Sequence, residues 1–218
     1  MSESPTHSRA KGPSPRTSRD RRQAEVTRAA VDVFSRKGYS AASIQDIADK
    51  VGVLKGSLYY YIDSKEDLLW RVVEEVHEHW SEILAETEDL AAEPVERIHA
   101  FIKLQVEWYL NNVDTVNVFF REWQYLSGER LKEVRERRRR YETVVRDLLA
   151  SARAAGDVSP ELDLRYATRF VLAAVNAVPD WYRPSDGEPV EAIATANADM
   201  TVGLLTGTGG FSARAERS

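Results

Sequence analysis

Cysteine is absent from the 218 residues. That excludes disulfides, thiolate nucleophiles and cysteine-based zinc sites, and it fits a reducing compartment such as the cytoplasm. Long hydrophobic runs are missing as well. The longest candidate, Phe170 to Val178, is interrupted by Asn176 and falls short of the roughly 18 apolar residues a membrane span needs, so no membrane partner is expected. The N-terminal stretch MSESPTHSRAKGPSPRTSRDRR is basic but has no apolar segment, and it does not read as a secretory signal. Histidine is scarce: His7, His77, His79 and His99 offer no pair at the i, i+4 spacing that places two ligands on one helix face. No glycine-rich phosphate loop follows a strand and no nucleophile elbow occurs, so neither catalysis, a metal nor a cofactor is expected.

What is present is a chain with 43% hydrophobic and 30% charged residues, too apolar for a disordered protein and of a length for one or two domains. Its net charge of −5 speaks against a nucleic-acid partner until it is divided. Residues 1–65 hold 12 Lys/Arg against 7 Asp/Glu, net +5, whereas residues 66–218 hold 18 against 28, net −10. A basic head on an acidic body is the charge pattern of a nucleic-acid-binding end.

Period-two alternation of β-branched residues is absent, and the spacing predicts an all-α chain of about nine helices without internal repeats. Residues 1–18 are rich in Ser, Pro and Arg and read as a flexible basic arm, either a solvated tail or one that touches phosphates or a minor groove. Val26, Ala30 and Phe34 mark a helix from Asp20 to Lys37 that Gly38 stops. Ser43 to Asp46 is a cap signature for a short helix burying Ile44, Ile47 and Ala48 and ending at Gly52, and a third helix runs from about Leu54 to Tyr61. A second cap, Ser64 to Asp67, opens a long helix with the stripe Leu68, Val72, Val76, Trp80 and Ile83. Further helices are expected from Pro94, around Asp114 to Leu126, over about 129–154, from the Ser159-Pro160 cap to about Tyr182, and from Val190 to about Thr206. The domains expected are 19–65 and 66–208, with a flexible tail at 209–218.

Two short helices joined by a tight glycine-containing turn, after a longer supporting helix, make a helix-turn-helix. The second of them presents Lys55, Gly56, Ser57, Tyr59 and Tyr60, while Leu58 and Ile62 hold it inward. Tyrosine suits a duplex because a rigid ring spans the groove wall while its hydroxyl reaches a phosphate or base edge, and lysine releases counterions. The run Gly52-Val-Leu-Lys-Gly-Ser-Leu-Tyr-Tyr-Tyr-Ile-Asp-Ser-Lys-Glu-Asp-Leu-Leu69, preceded by Phe34, Gly38-Tyr39 and Ser43-Ile-Gln-Asp-Ile-Ala48, resembles the DNA-binding domain of the TetR family of bacterial transcriptional regulators. The resemblance covers about 45 residues in order and spacing; the rest agrees only in helix pattern.

That resemblance implies a homodimer on a palindromic double-stranded DNA operator and a C-terminal domain that binds a small-molecule effector, with repression as the family default. Carried over by position, Lys55, Gly56, Ser57, Tyr59 and Tyr60 lie at the groove, Ser43 and Gln45 brace the preceding helix on the backbone, and Lys65 meets a phosphate. Leu54 stands where the family usually has a Ser or Thr cap, and Ile62 where it has Phe. Tyr61 is divided between the small core and the DNA, and Lys65 has an ordinary solvated reading as well.

The acidic body carries Trp70, Trp80, Trp108, Trp123 and Trp181. Most aromatics at helical spacing are core, but Trp108, Tyr109, Phe120 and Trp123 exceed what a small bundle requires and suit an apolar ligand cavity. Arg138 falls on the apolar stripe of its helix, four after Val134 and three before Tyr141, where it points inward to an anionic ligand unless it is simply part of the wet Arg135 to Arg140 face. Asn176, polar within an apolar helix, needs a partner across a dimer or on a ligand. The eighth and ninth helices are expected to build the dimer through Phe170, Ala174, Val178, Ala194 and Ala198. The segment Asp180-Trp-Tyr-Arg-Pro184 resembles a branch of the family that senses acyl-coenzyme A thioesters in fatty-acid and steroid breakdown, which implies a hydrophobic or acyl-coenzyme A effector. The rival reading is a helical ligand-binding or adaptor protein without DNA binding. It expects an eroded recognition face, and Lys55, Tyr59, Tyr60 and Lys65 are all present.

Overall fold

Ser43 and Ser64 cap two of the N-terminal helices, and Gly38 and Gly52 stop two. In the computed structural model of the protein, residues 18–207 are described; of the arm expected at 1–18 only Ser18 falls among them, and the tail expected at 209–218 lies outside. Helix α1 (Ser18–Lys37) stops at Gly38, whose φ of 76° is open to glycine at little cost and whose N–H reaches the Phe34 carbonyl at 2.9 Å. Helix α2 (Ile44–Val51) opens with a reciprocal box: the Asp46 N–H donates to Ser43 Oγ at 3.1 Å, and the Ser43 N–H donates to the Asp46 carboxylate at 2.9 Å. Such a cap stabilises a helix by about 1 kcal/mol. Gly52, at φ 76°, turns the chain into α3 (Lys55–Leu58).

The third helix is shorter than the expected 54–61. Leu54 supplies no side-chain cap, Gly56 weakens the interior, and Tyr60 and Tyr61 donate to the Ser57 and Leu58 carbonyls in tighter i to i−3 turns. Helix α4 (Lys65–Asp89), capped by Ser64, lays Leu68, Val72, Val76, Trp80 and Ile83 into the core as one buried stripe. Phe34, Ile47 and Leu58 are buried in the same core as that stripe, so the three-helix head and α4 share one apolar interior.

The body continues with α5 (Pro94–Asn111), α6 (Val113–Glu122), a 3-10 turn at Trp123–Tyr125, α7 (Gly128–Ala155), α8 (Leu164–Asn176), α9 (Val178–Trp181) and α10 (Val190–Thr206). No strand occurs among the described residues. Pro179 breaks the eighth helix; with α9 taken as its kinked end, nine helices are present among the described residues. That helix begins later than expected. Ser159 and Pro160 form a turn, with the Leu162 N–H on the Ser159 carbonyl at 3.1 Å, and Asp163 is the cap, accepting from the Arg165 N–H at 2.9 Å.

Helix α10 packs along α5, and this corrects the expected dimer face. Val178, Ala194 and Ala198 are 0% exposed within the single chain. Two residues along a helix is a rotation of about 200°, so the opposite face of α10 carries Ala192, Ala196 and Met200 to the outside. The small residues serve close approach to α5. Phe170 is exposed and Ala174 half-buried, and the outer stripe of α8 reads Tyr166, Phe170, Ala173 and Ala177.

Candidate DNA interface and sensor cleft

The reading head is rigid where it needs to be and bare where it meets solvent. Lys37 and the Ser43 backbone hold the Asp46 carboxyl down to about 2, and Asp32 ties α1 to α2 through Lys50 at 2.9 Å. These pairs lie at the surface and contribute little energy, but they fix the angle between the two helices. Outside this frame, Leu54 is 80% and Tyr60 79% exposed, with Lys55, Gly56 and Tyr59 also exposed and Ser57 half-buried. A Cβ on Gly56 would meet nothing within 4 Å, so the space above it is open. Tyr61 is half-buried against the core.

Three of the sequence-derived contacts look different in place. The Ser43 hydroxyl is committed to the Asp46 cap, and Gln45 donates to Asp49 at 2.7 Å, although both residues remain exposed. Lys65 is a correction. Its ammonium donates to the carbonyls of Tyr39 and Ala42 at 2.8 Å each and lies 3.5 Å from that of Ser40, 4.3 Å above the Tyr39 ring. An ammonium has three protons, so in this arrangement Lys65 braces the loop between α1 and α2 and has none left for a phosphate. Leu54, read from sequence only as a poor cap, is an exposed apolar side chain on the same bare face.

The head is tied to the body at the start of α4. Asp67, buried, pairs with Arg71 at 2.8 Å and with Arg130 of α7 at 3.2 Å, and Arg71 also donates to the Tyr61 carbonyl at 2.7 Å. Glu66 accepts from the Ser127 N–H at 3.0 Å and its hydroxyl at 3.1 Å. Tyr125 rests against Tyr39, with ring centroids 5.3 Å apart. The beginning of α7 therefore grips the element on which the recognition helix sits.

Two turns further along α7, Arg138 enters a cleft of about 280 Å³ whose walls include Phe120, Trp123, Leu172 and Asn176. Its guanidinium lies over Trp123 at 5.1 Å and Phe119 at 5.7 Å, and Nη1 is buried without a hydrogen-bond partner. Burial lowers its pKa, opposed by the nearby Tyr109 and Glu142. Tyr109 stands behind the cleft wall, fully buried, accepting from Trp80 Nε1 at 3.0 Å and donating to Asn176 Oδ1 at 3.3 Å. Burial raises its pKa strongly. Five of the six expected ligand residues thus gather in one place. Trp108 does not: it stacks on His79 at 4.2 Å away from the cleft. Sequence reasoning missed Trp80, Tyr141, His77 and Gln105. The last two carried the signal that singled out Arg138, a polar residue on an apolar helical stripe.

A capped helix-turn-helix with a bare aromatic and basic face, fused to a helical body holding an aromatic-walled cleft, defines a DNA-binding regulator with a sensor domain. Residues 26–72 match the bacterial regulatory proteins of the tetR family, and residues 91–205 match the tetracyclin repressor-like C-terminal domain. The chain belongs to the TetR family of bacterial transcriptional regulators. It is 24% identical over 189 residues to the transcriptional repressor KstR2 of Mycobacterium tuberculosis, covering 86% of this chain and 94% of that protein. The structure of that ketosteroid regulator superposes with a TM-score of 0.79 at 26% identity, covering 85% and 95% of the two chains. AibR, solved in complex with isovaleryl coenzyme A and operator DNA, superposes with a TM-score of 0.74 at 25% identity, covering 85% and 98%. Among the described residues no helix is long and apolar enough to cross a membrane.

Proposed function

We propose that the protein is a homodimeric repressor acting in the cytoplasm by binding and not by catalysis. Two α3 helices enter successive major grooves of a palindromic operator, and an effector in the cleft beside Arg138 releases them. Leu54, Lys55, Gly56, Ser57, Tyr59 and Tyr60 form the reading surface, with Ser43 and Gln45 near the backbone and Lys65 as a positioning residue. The outer stripes of α8 and α10, Tyr166, Phe170, Ala173, Ala177, Ala196 and Met200, supply the dimer contact; apolar stripes on adjacent helices need a partner. The domain division falls at about residue 65, with α4 shared between head and body.

The observation that carries this reading is the grip of Glu66 and Asp67 by the start of α7, because α7 also holds Arg138 about 12 Å away along the same helix. An effector that prefers one position of α7 shifts the spacing of the two heads by its differential affinity for that state. The relatives support an acyl-type effector for the cleft: AibR was solved with a branched acyl-coenzyme A and its operator. A gel shift on the DNA flanking the coding region tests the reading. Retardation that is lost on scrambled DNA and in Tyr59→Ala supports it; no retardation at low salt overturns it.

A further inference from the structure

On the far side of Trp80 and Tyr141 from the Arg138 cleft lies a second cleft of about 680 Å³, reached between α4 and α7 and bordered by His77, Leu84, Arg137 and Arg140. Trp80 and Tyr141 line both. Their rings are stacked, centroids 4.1 Å apart at 18°, so the one aromatic stack borders both spaces. Alone, the 280 Å³ cleft falls just below the range of about 300–1,000 Å³ that ligand sites occupy; the two joined fall within it.

Polar groups without partners cluster around this stack. His77 is 4% exposed, rests against Trp80 and Phe119 at 5.3 Å, and neither ring nitrogen has a hydrogen bond. Gln105, fully buried, accepts from the Tyr141 hydroxyl at 2.8 Å, but its Nε2 donates to nothing. Arg138 Nη1 is the third. Buried donors without acceptors each cost folding free energy, and a group of them beside one aromatic stack is the arrangement expected of a binding site. Arg138 and Gln105 offer only donors at these atoms, and His77 offers one donor, so the complement is a molecule rich in acceptors.

We propose that the Trp80–Tyr141 stack is a door between the two clefts, and that the effector is an apolar acyl compound whose carbonyl meets Gln105 and His77 and whose anionic group meets Arg138. This deepens the proposed function and rests on the cleft being its effector site. Arg135, Arg139 and Arg140, which have no ion pair among the described residues, rim the two clefts and extend the cationic surface outward. A free carboxylate and a coenzyme A thioester share this chemistry: the first puts its own charge on Arg138, and the second brings phosphates to the rim.

The test uses the full-length protein and anilinonaphthalene sulfonate, a flat apolar ring system with one anionic group, beside its uncharged analogue phenylnaphthylamine. Arg138→Gln is expected to weaken the sulfonate probe at least about tenfold, the loss of one charge-assisted hydrogen bond in a buried site, with partial recovery in Arg138→Lys and no change for the uncharged probe. Trp80→Leu, which removes one leaf of the door, is expected to raise the association rate about tenfold; Trp80→Phe is the milder second variant. Displacement of the probe by decanoate or by decanoyl-coenzyme A supports the acyl assignment and distinguishes acid from thioester. Displacement by neither, or an Arg138→Gln protein that binds the sulfonate as tightly as the original, overturns the proposal. Operator retardation by every variant is the fold control. It keeps failure of this site apart from failure of the regulator reading, which would abolish retardation in the unsubstituted protein.

Discussion

The head and the body handle their polar groups in opposite ways. No buried side-chain nitrogen or oxygen described before His77 lacks a hydrogen-bond partner, whereas every such orphan lies at or beyond it, four of them around Trp80 and Tyr141. The head is complete without its DNA. Its caps, its α1–α2 ion pairs and the Lys65 brace leave a preformed surface for a long, stiff, uniformly charged partner. The body holds the orphans, and those around Trp80 and Tyr141 are the groups that the proposed small ligand would partner. A reader of a fixed duplex gains from rigidity, while a sensor needs two states close in energy.

Breaking the pairing of the two copies is expected to have the largest effect. Phe170→Asp combined with Met200→Asp places charges in the outer α8–α10 stripe. If dimerisation sets the two heads, operator affinity falls about a thousandfold through loss of bivalency, and sedimentation reports a monomer. An unchanged dimer would move the interface elsewhere.

The next largest effect concerns the body alone. Burial, assisted by the Arg137 and Arg138 charges, lowers the His77 pKa from 6.5 to about 4. The unfolded chain therefore binds more protons than the folded one between those values. Stability is complete above pH 6.5, is lost as pH falls toward 4 and is level below, by roughly 3 kcal/mol in all. Denaturant melts of His77→Leu should lack this decline, with Glu78 and the two arginines still present; a decline of the original size would assign it to other groups.

The smallest effects sharpen the reading of the head. Lys65→Ala removes a brace, so operator affinity should drop about tenfold with the salt slope preserved, whereas Lys55→Ala removes a phosphate neutraliser and should reduce the slope by about 0.9 while leaving stability within about 0.5 kcal/mol. A reduced slope in Lys65→Ala would restore Lys65 to the phosphates.

Much of this was legible in the sequence. Gly38 and Gly52, the Ser43 and Ser64 caps and the Leu68 to Ile83 stripe gave the helices of the head, because stops, caps and periodicity are local. The cleft was half legible: Arg138 and Asn176 stood out as polar residues on apolar stripes, and Gln105 and His77 did so equally but were passed over. Ala194 and Ala198 face α5 of the same chain and not a second copy, since a run of small residues specifies close helix approach without specifying which helix approaches. The role of Lys65 depends on three carbonyls more than twenty residues away, a tertiary contact that no local pattern encodes.

The central claim is that the finished head and the unfinished cleft are coupled through α7. It is tested most directly by measuring the affinity of anilinonaphthalene sulfonate for the free protein and for the protein saturated with operator. Coupling is reciprocal, so the account predicts binding to the complex weaker by about 5- to 150-fold, matched by the same factor in operator affinity when the probe is present. Equal affinities in the two states would contradict it.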